Sequence, residues 1–95
     1  MPPITVVATI TAQPGRAADL GGILAGMVPP TLAEAGCGRY DLHRDVADPG
    51  TFVFLEEWAS REAHQAHLKA PHFLAARAAQ EGLVASRSVR HLEKL

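Results

Sequence analysis

Asp48-Pro49-Gly50-Thr51-Phe52-Val53-Phe54-Leu55-Glu56-Glu57-Trp58 begins as a turn and continues as a strand. Aspartate bonds its own backbone, proline presets φ and glycine opens positive φ, so Asp-Pro-Gly is a strong turn signal. The eight residues that follow are rich in β-branched and aromatic side chains and are apolar on both faces over their first half, which predicts a central strand. Strand parity puts Phe52, Phe54, Glu56 and Trp58 on one side. Upstream, 39–46 alternates in the same manner, with Tyr40, Leu42, Arg44 and Val46 on one face. The two runs form a hairpin. A turn centred on Pro49 would set Tyr40 opposite Trp58 and Leu42 opposite Glu56.

Moving outward, 4–12 is rich in β-branched residues, with Ile4, Val6, Ala8 and Ile10 on one face and Thr5, Val7, Thr9 and Thr11 on the other. Pro14-Gly15 ends it. From Arg16 to about Ala35 the period becomes helical, with Leu20, Ile23, Leu24, Met27, Val28 and Leu32 as one apolar stripe. Pro29-Pro30 should interrupt that helix in its last third. After Trp58, Ser60 is a natural N-cap with Glu62 in the first turn. That helix runs to about Lys69, and Pro71 opens a second segment to about Glu81. Gly82 closes it, and 83–92 alternates as a last strand. The order is βαββαβ with the second helix broken, which predicts a ferredoxin-like α+β fold: a four-stranded antiparallel sheet with helices on one face. The other sheet face needs a cover, and a second copy of the chain is the simplest, so a homodimer is expected.

Composition narrows the function classes. The chain has 95 residues, of which 47% are hydrophobic, with no linker, repeat or low-complexity tract, so residues 1–95 read as one domain. Nine Lys and Arg against ten Asp and Glu leave a net charge of −1, which argues against nucleic acid as a partner. No apolar run reaches a membrane span, and the start reads as a strand rather than a leader, so no membrane association is expected and the cytoplasm is the expected compartment. A single cysteine, Cys37, excludes an intrachain disulfide and a cysteine-based zinc site.

Chemistry concentrates in the broken helix. His64 and His67 share a helix face at i, i+3 spacing, and His72 follows Pro71 at the next helix start. Imidazole is the side chain best suited to act as a base near neutrality, and a helix N-terminus disfavours its cationic form. The same histidines serve equally well as hydrogen-bonding ties that fix the break. His43 and His91 lie in strands without a supporting pattern and read as surface. The spacing of His64, His67 and His72, with Glu56 or Glu57 near, offers donors for zinc or iron, but Pro71 falls between the second and third histidine and no metal is expected. Glu56, a carboxylate in a central strand, requires a partner or a raised pKa. Tyr40 and Trp58 would form either a wall for a flat ligand or a plain core pair.

The residues also resemble a known family. Glu34-Ala35-Gly36-Cys37 followed by Tyr40 and Leu42, the strand ending Glu56-Glu57-Trp58, and Ala66-His67-Leu68-Lys69-Ala70-Pro71-His72-Phe73 are similar to the antibiotic biosynthesis monooxygenase (ABM) domain. The resemblance runs almost the whole chain. It implies a dimeric α+β barrel and cofactor-independent oxygenation of a phenolic or quinol-type aromatic by O₂. On that reading His72 or His67 is the catalytic base, and Trp58, Tyr40, His64, Glu56 and Phe73 contact substrate. The chain departs from the family's branches at four places. Arg77 and Ala8 stand where haem-degrading members carry histidine and asparagine, so haem is not expected. Phe54 and His64 replace an asparagine and a tyrosine of the quinol oxygenases. Two alternatives remain: a non-catalytic dimeric ligand-binding or stress-response module, and an isomerase of a small phosphorylated ketone. The latter needs an anion site, which only Arg39, Arg44, Arg77, Arg87 and Arg90 could supply.

Overall fold

The β-branched run Ile4–Ala12 becomes β1, and both of its edges are paired. The computed structural model describes residues 2–95. Along the chain follow α1 (Ala17–Gly26), α2 (Val28–Leu32), β2 (Cys37–Arg44), β3 (Thr51–Trp58), α3 (Arg61–His67), α4 (Pro71–Ala79) and β4 (Val84–Leu92). The four strands form one antiparallel sheet in the order β2-β3-β1-β4. This is the expected ferredoxin-like arrangement, and the observed bounds of β1 and β3 are those expected. Among the described residues no helix is long and apolar enough to cross a membrane.

Register sets the helix-facing floor of the sheet as rows of side chains. One row reads Tyr40, Glu56, Val6, His91; the next reads Leu42, Phe54, Ala8, Val89; the third reads Arg44, Phe52, Ile10, Arg87. At roughly 3.4 Å per residue, successive rows lie about 7 Å apart. Trp58 and Ile4 pair beyond the first row. The core packs on this floor: Ile4, Val6, Ile10, Tyr40, Phe52, Phe54 and Trp58 from the sheet, and Leu20, Leu24 and Met27 from α1 and its end. On the reverse face Val7, Leu55, Thr9 and Val53 pair across β1 and β3 and are only partly buried.

The hairpin register differs from the expected one by two residues. Tyr40 pairs with Glu56, not Trp58, and Leu42 pairs with Phe54, not Glu56. The loop centres on Asp48 because two aspartates tie it: Asp45 Oδ1 accepts from the Ala47 N–H at 2.8 Å, and Asp48 Oδ2 accepts from the Thr51 hydroxyl at 2.7 Å. Cys37 takes the place opposite Trp58, past an irregularity between Cys37 and Arg39.

The first helix breaks at Met27, earlier than Pro29-Pro30 predicts. Both prolines sit instead in the first turn of α2, where a missing N–H costs nothing. The break rotates the stripe, so that Thr31 is buried and Leu32 is half exposed. Ser60 caps α3 as expected, its hydroxyl accepting from the Ala63 N–H at 3.1 Å. Pro71 opens α4. Gly36, at φ +83°, joins α2 to β2 so closely that a Cβ there would sit 2.7 Å from the Ala63 Cβ. Only glycine fits both conditions.

Candidate active site

A cavity of about 250 Å³ lies between the sheet floor and the helices. Its middle is apolar: Val6, Ala8, Ile10, Phe54 and Val89 below, with Leu24, Met27, Leu68 and Phe73 above and around. Ala8 is the smallest side chain of the floor and lies between Phe54 and Val89 in the middle row, which leaves the space that the larger neighbours frame. Polar groups gather at two places. Tyr40, Glu56, His64, His67 and His91 belong to one, and Arg77, Gln80 and Arg87 to the other.

The first group is ordered by Trp58. Its indole N–H donates to Glu56 Oε1 at 2.9 Å, and its ring packs on His67 with centroids 4.8 Å apart. Trp58 itself is buried and is not among the residues that line the cavity. Glu56 is 4% exposed. Burial lifts its carboxyl pKa to about 7, against the pull of the Trp58 hydrogen bond, and the negative charge of Glu34 adds to the rise. His64 Nε2 lies 4.0 Å from Glu56 Oε1. Burial, helped by the neighbouring His91 and His67, lowers its pKa to about 4, so the contact at neutral pH is not an ion pair. Tyr40 stacks on Phe54 at 4.5 Å, and burial pushes its phenol upward, so the hydroxyl keeps its proton.

His67 is almost wholly buried and lies at the centre of this group, with Tyr40 at 5.5 Å and Phe73 at 4.9 Å between ring centroids. Its Nδ1 is 2.7 Å from Glu34 Oε2. With the carboxylate accepting from Nδ1–H, Nε2 is the nitrogen left with a lone pair. Burial lowers the His67 pKa, while the hydrogen bond and charge of Glu34 hold it up. The geometry is that of a base oriented by a carboxylate, beside a mostly apolar cavity.

His72 is not part of the lining. Its Nε2 lies 2.9 Å from the same Glu34 oxygen and 3.2 Å from the Thr31 hydroxyl, joining the start of α4 to α2 and the residues after it. Sequence reasoning missed Glu34, which sits beyond the end of α2 and meets its partners only through the fold. His91 is exposed, as expected, yet it also lines the cavity, its ring 5.3 Å from that of His64. The pairing of β4 with β1 supplies that contact, through Val6 and His91.

Glu34, His67 and His72 each bring one ligand atom within 4.8 Å of the others, a set able to hold a metal ion. It differs from the set that spacing suggested, since Glu34 takes the place of Glu56 or Glu57 and His64 stands apart. In its hydrogen-bonded form each of the three already has a partner. Of the five arginines that could serve an anion, the cavity takes Arg77 and Arg87; Arg39, Arg44 and Arg90 lie outside its lining.

Comparison with known proteins agrees with this architecture. PA3566 from Pseudomonas aeruginosa superposes with a TM-score of 0.96 at 39% identity, covering 100% of this chain and 96% of that one. Rv0793 from Mycobacterium tuberculosis superposes with a TM-score of 0.91 at 34% identity, covering 98% and 95%. The Escherichia coli K12 protein named "Probable quinol monooxygenase YgiN" is 35% identical over 95% of this chain and 96% of its own length. Residues 3–79 match the family model described as antibiotic biosynthesis monooxygenase. The chain therefore belongs to the antibiotic biosynthesis monooxygenase family.

Proposed function

We propose that this protein is a cofactor-independent monooxygenase that oxidises a phenolic or quinol-type aromatic with O₂. The observation that carries the reading is the His67 ring, set in a mostly apolar cavity with Nδ1 held 2.7 Å from Glu34. The name of the Escherichia coli relative points to the same substrate class. In this reading His67 Nε2 takes the phenolic proton, and Glu34 stabilises the imidazolium that results. The phenolate gives one electron to O₂, and the radical pair couples to form a carbon–oxygen bond. The peroxide takes a proton from Glu56, whose pKa of about 7 keeps a protonated fraction available. As the O–O bond breaks, Glu56 regains a proton from the oxygenated carbon and His67 gives its proton to the departing hydroxide, so that a phenolic O–H, a ring C–H and O₂ become a quinone and H₂O. Tyr40, Phe54 and Phe73 hold the ring of the substrate, and His64 lines the pocket as a neutral group.

The chain acts as a homodimer in this proposal, with two sheets face to face over Val7, Val53 and Leu55. Oxygen uptake with a panel of naphthoquinols, run with isotope-labelled O₂, tests the function. The expected result is uptake above autoxidation, with one labelled atom in the product and one in water. Uptake no faster than buffer alone across the panel overturns it. Light scattering tests the dimer, and a mass of one chain at micromolar concentration overturns that part.

A further inference from the structure

The cavity holds two guanidinium groups that its proposed oxygenation chemistry does not use. Arg87 comes from the third row of the floor, opposite Ile10. Its Nη2 donates to Gln80 Oε1 at 2.8 Å, a neutral acceptor on a buried side chain. Arg77, on α4, lies with its guanidinium carbon 5.1 Å from the centroid of the Phe73 ring. Both side chains line the cavity, and neither has a carboxylate partner among the described residues. Every acidic side chain of the lining is accounted for by Glu56, which belongs to the first row, four residues away along β1. Four residues of strand separate those rows by roughly 13 Å. Arg87, half-buried and steered by a neutral amide, and Arg77, solvent-exposed and lying against an aromatic face, thus edge an apolar chamber with two like charges that no carboxylate of the described residues pairs. Burial and the charge of Arg77 both pull the Arg87 pKa down, as expected for a pair that lacks a counter-ion.

We propose that the natural substrate is a flat aromatic acid, with its phenol at the Glu56–His67 end and a carboxylate at the other end, held by Arg77 and Arg87. The inference rests on the phenol-oxidation reading for the orientation of the ligand. A planar carboxylate suits guanidinium forks, and the apolar surroundings offer few further donors for a phosphate dianion. Gln80 positions Arg87, while Phe73 supports Arg77 and packs against His67, so one aromatic ring connects the two ends of the site.

Binding of 6-hydroxy-2-naphthoate, 2-naphthol and 2-naphthyl phosphate, followed by titration calorimetry, tests the proposal. The wild-type protein is expected to bind the naphthoate at least about tenfold more tightly than 2-naphthol, which is about 1.4 kcal/mol. In the Arg77→Gln/Arg87→Gln double variant the ratio of the two should fall to near one. Each ratio is read within a single protein, so a general loss of folding does not imitate the result. Equal binding of naphthoate and naphthol by the wild type, or a preference that survives the double variant, overturns the proposal. Tightest binding of the naphthyl phosphate overturns the carboxylate assignment. Oxygen uptake with a neutral naphthoquinol separates the two readings: if it proceeds while the anion preference is absent, this inference fails and the monooxygenase function stands.

Discussion

Glu34 and His67 meet at 2.7 Å although 33 positions of chain separate them. One stands just past α2 and the other ends α3, so the pair exists only when the helical layer is assembled on the sheet. For a base this has a kinetic signature. His67→Gln should lower kcat by about 10²–10⁴-fold, the usual contribution of a positioned base. Glu34→Gln keeps the hydrogen-bond shape but removes the charge that holds the imidazolium. It should cut kcat less and move the acid limb of the pH–rate profile, with KM for a quinol nearly constant. Steady-state oxygen uptake across pH on both variants checks this, and a Glu34→Gln profile that matches wild type counts against the dyad.

His72 gives the contrasting outcome. It bonds Glu34 and the buried Thr31 hydroxyl outside the cavity. His72→Ala should therefore cost roughly 1–2 kcal/mol of stability, a fall of about 4–16 °C in Tm for a domain of this size. Turnover per folded molecule should drop by less than about tenfold. A loss of about a hundredfold in kcat with unchanged Tm would transfer the role of base to His72.

Glu56 makes stability depend on pH with a definite sign. Its pKa rises from 4.5 to about 7 on folding. The folded chain thus holds a proton that the unfolded chain releases. The stabilisation is whole below pH 4.5 and is lost as pH climbs through about 7. His64, lowered from 6.5 to about 4, acts in the opposite direction: its contribution is whole above pH 6.5 and is lost as pH falls toward 4. Glu56→Gln retains an oxygen for the Trp58 N–H and removes only the first of these. Its Tm at pH 8 minus its Tm at pH 5 should be more positive than that of wild type. The alkaline limb of kcat near pH 7 should also disappear. Parallel melts at the two pH values and a pH–rate profile measure both.

Gly36 supports the site from outside it. At φ +83°, with the Ala63 Cβ only 2.7 Å from where its own Cβ would lie, it accepts no side chain without movement. Gly36→Ala should cost about 2–4 kcal/mol, combining left-handed strain with a backbone shift. Since the glycine leads from Glu34 toward β2, kcat should fall as well. Denaturant melts give the first number, and an unchanged midpoint would show that the junction relaxes freely.

The floor of the site was legible because strand parity is a local property. Phe52, Phe54, Glu56 and Trp58 share a face in any fold that makes 51–58 a strand, and Ile4, Val6, Ala8 and Ile10 follow the same rule. The break at Pro71 was legible for a similar reason, since proline at a helix start acts within one turn. What escaped depends on relations between segments. The pairing of Tyr40 with Glu56 is set by Asp45 and Asp48 side chains that choose the loop centre, and a residue pattern does not show which turn they tie. Glu34 carried no signal beyond its place in a motif, since its partners are fixed by where α2 ends. His91 is exposed, as its strand suggested, but its place beside His64 follows only from the pairing of β4 with β1.

Ala8 has a further consequence. It occupies a fully paired central strand, so exchanging its side chain leaves the backbone ladder untouched. It also lies midway between the acid–imidazole end and the guanidinium end. Chamber length and chamber depth are therefore under separate control. The two ends are fixed by residues on several elements, whereas the floor at mid-chamber dips at one methyl group between Phe54 and Val89. A larger side chain at this one position would make the chamber shallower, and so admit only smaller ligands, while its proton-handling groups stay in place.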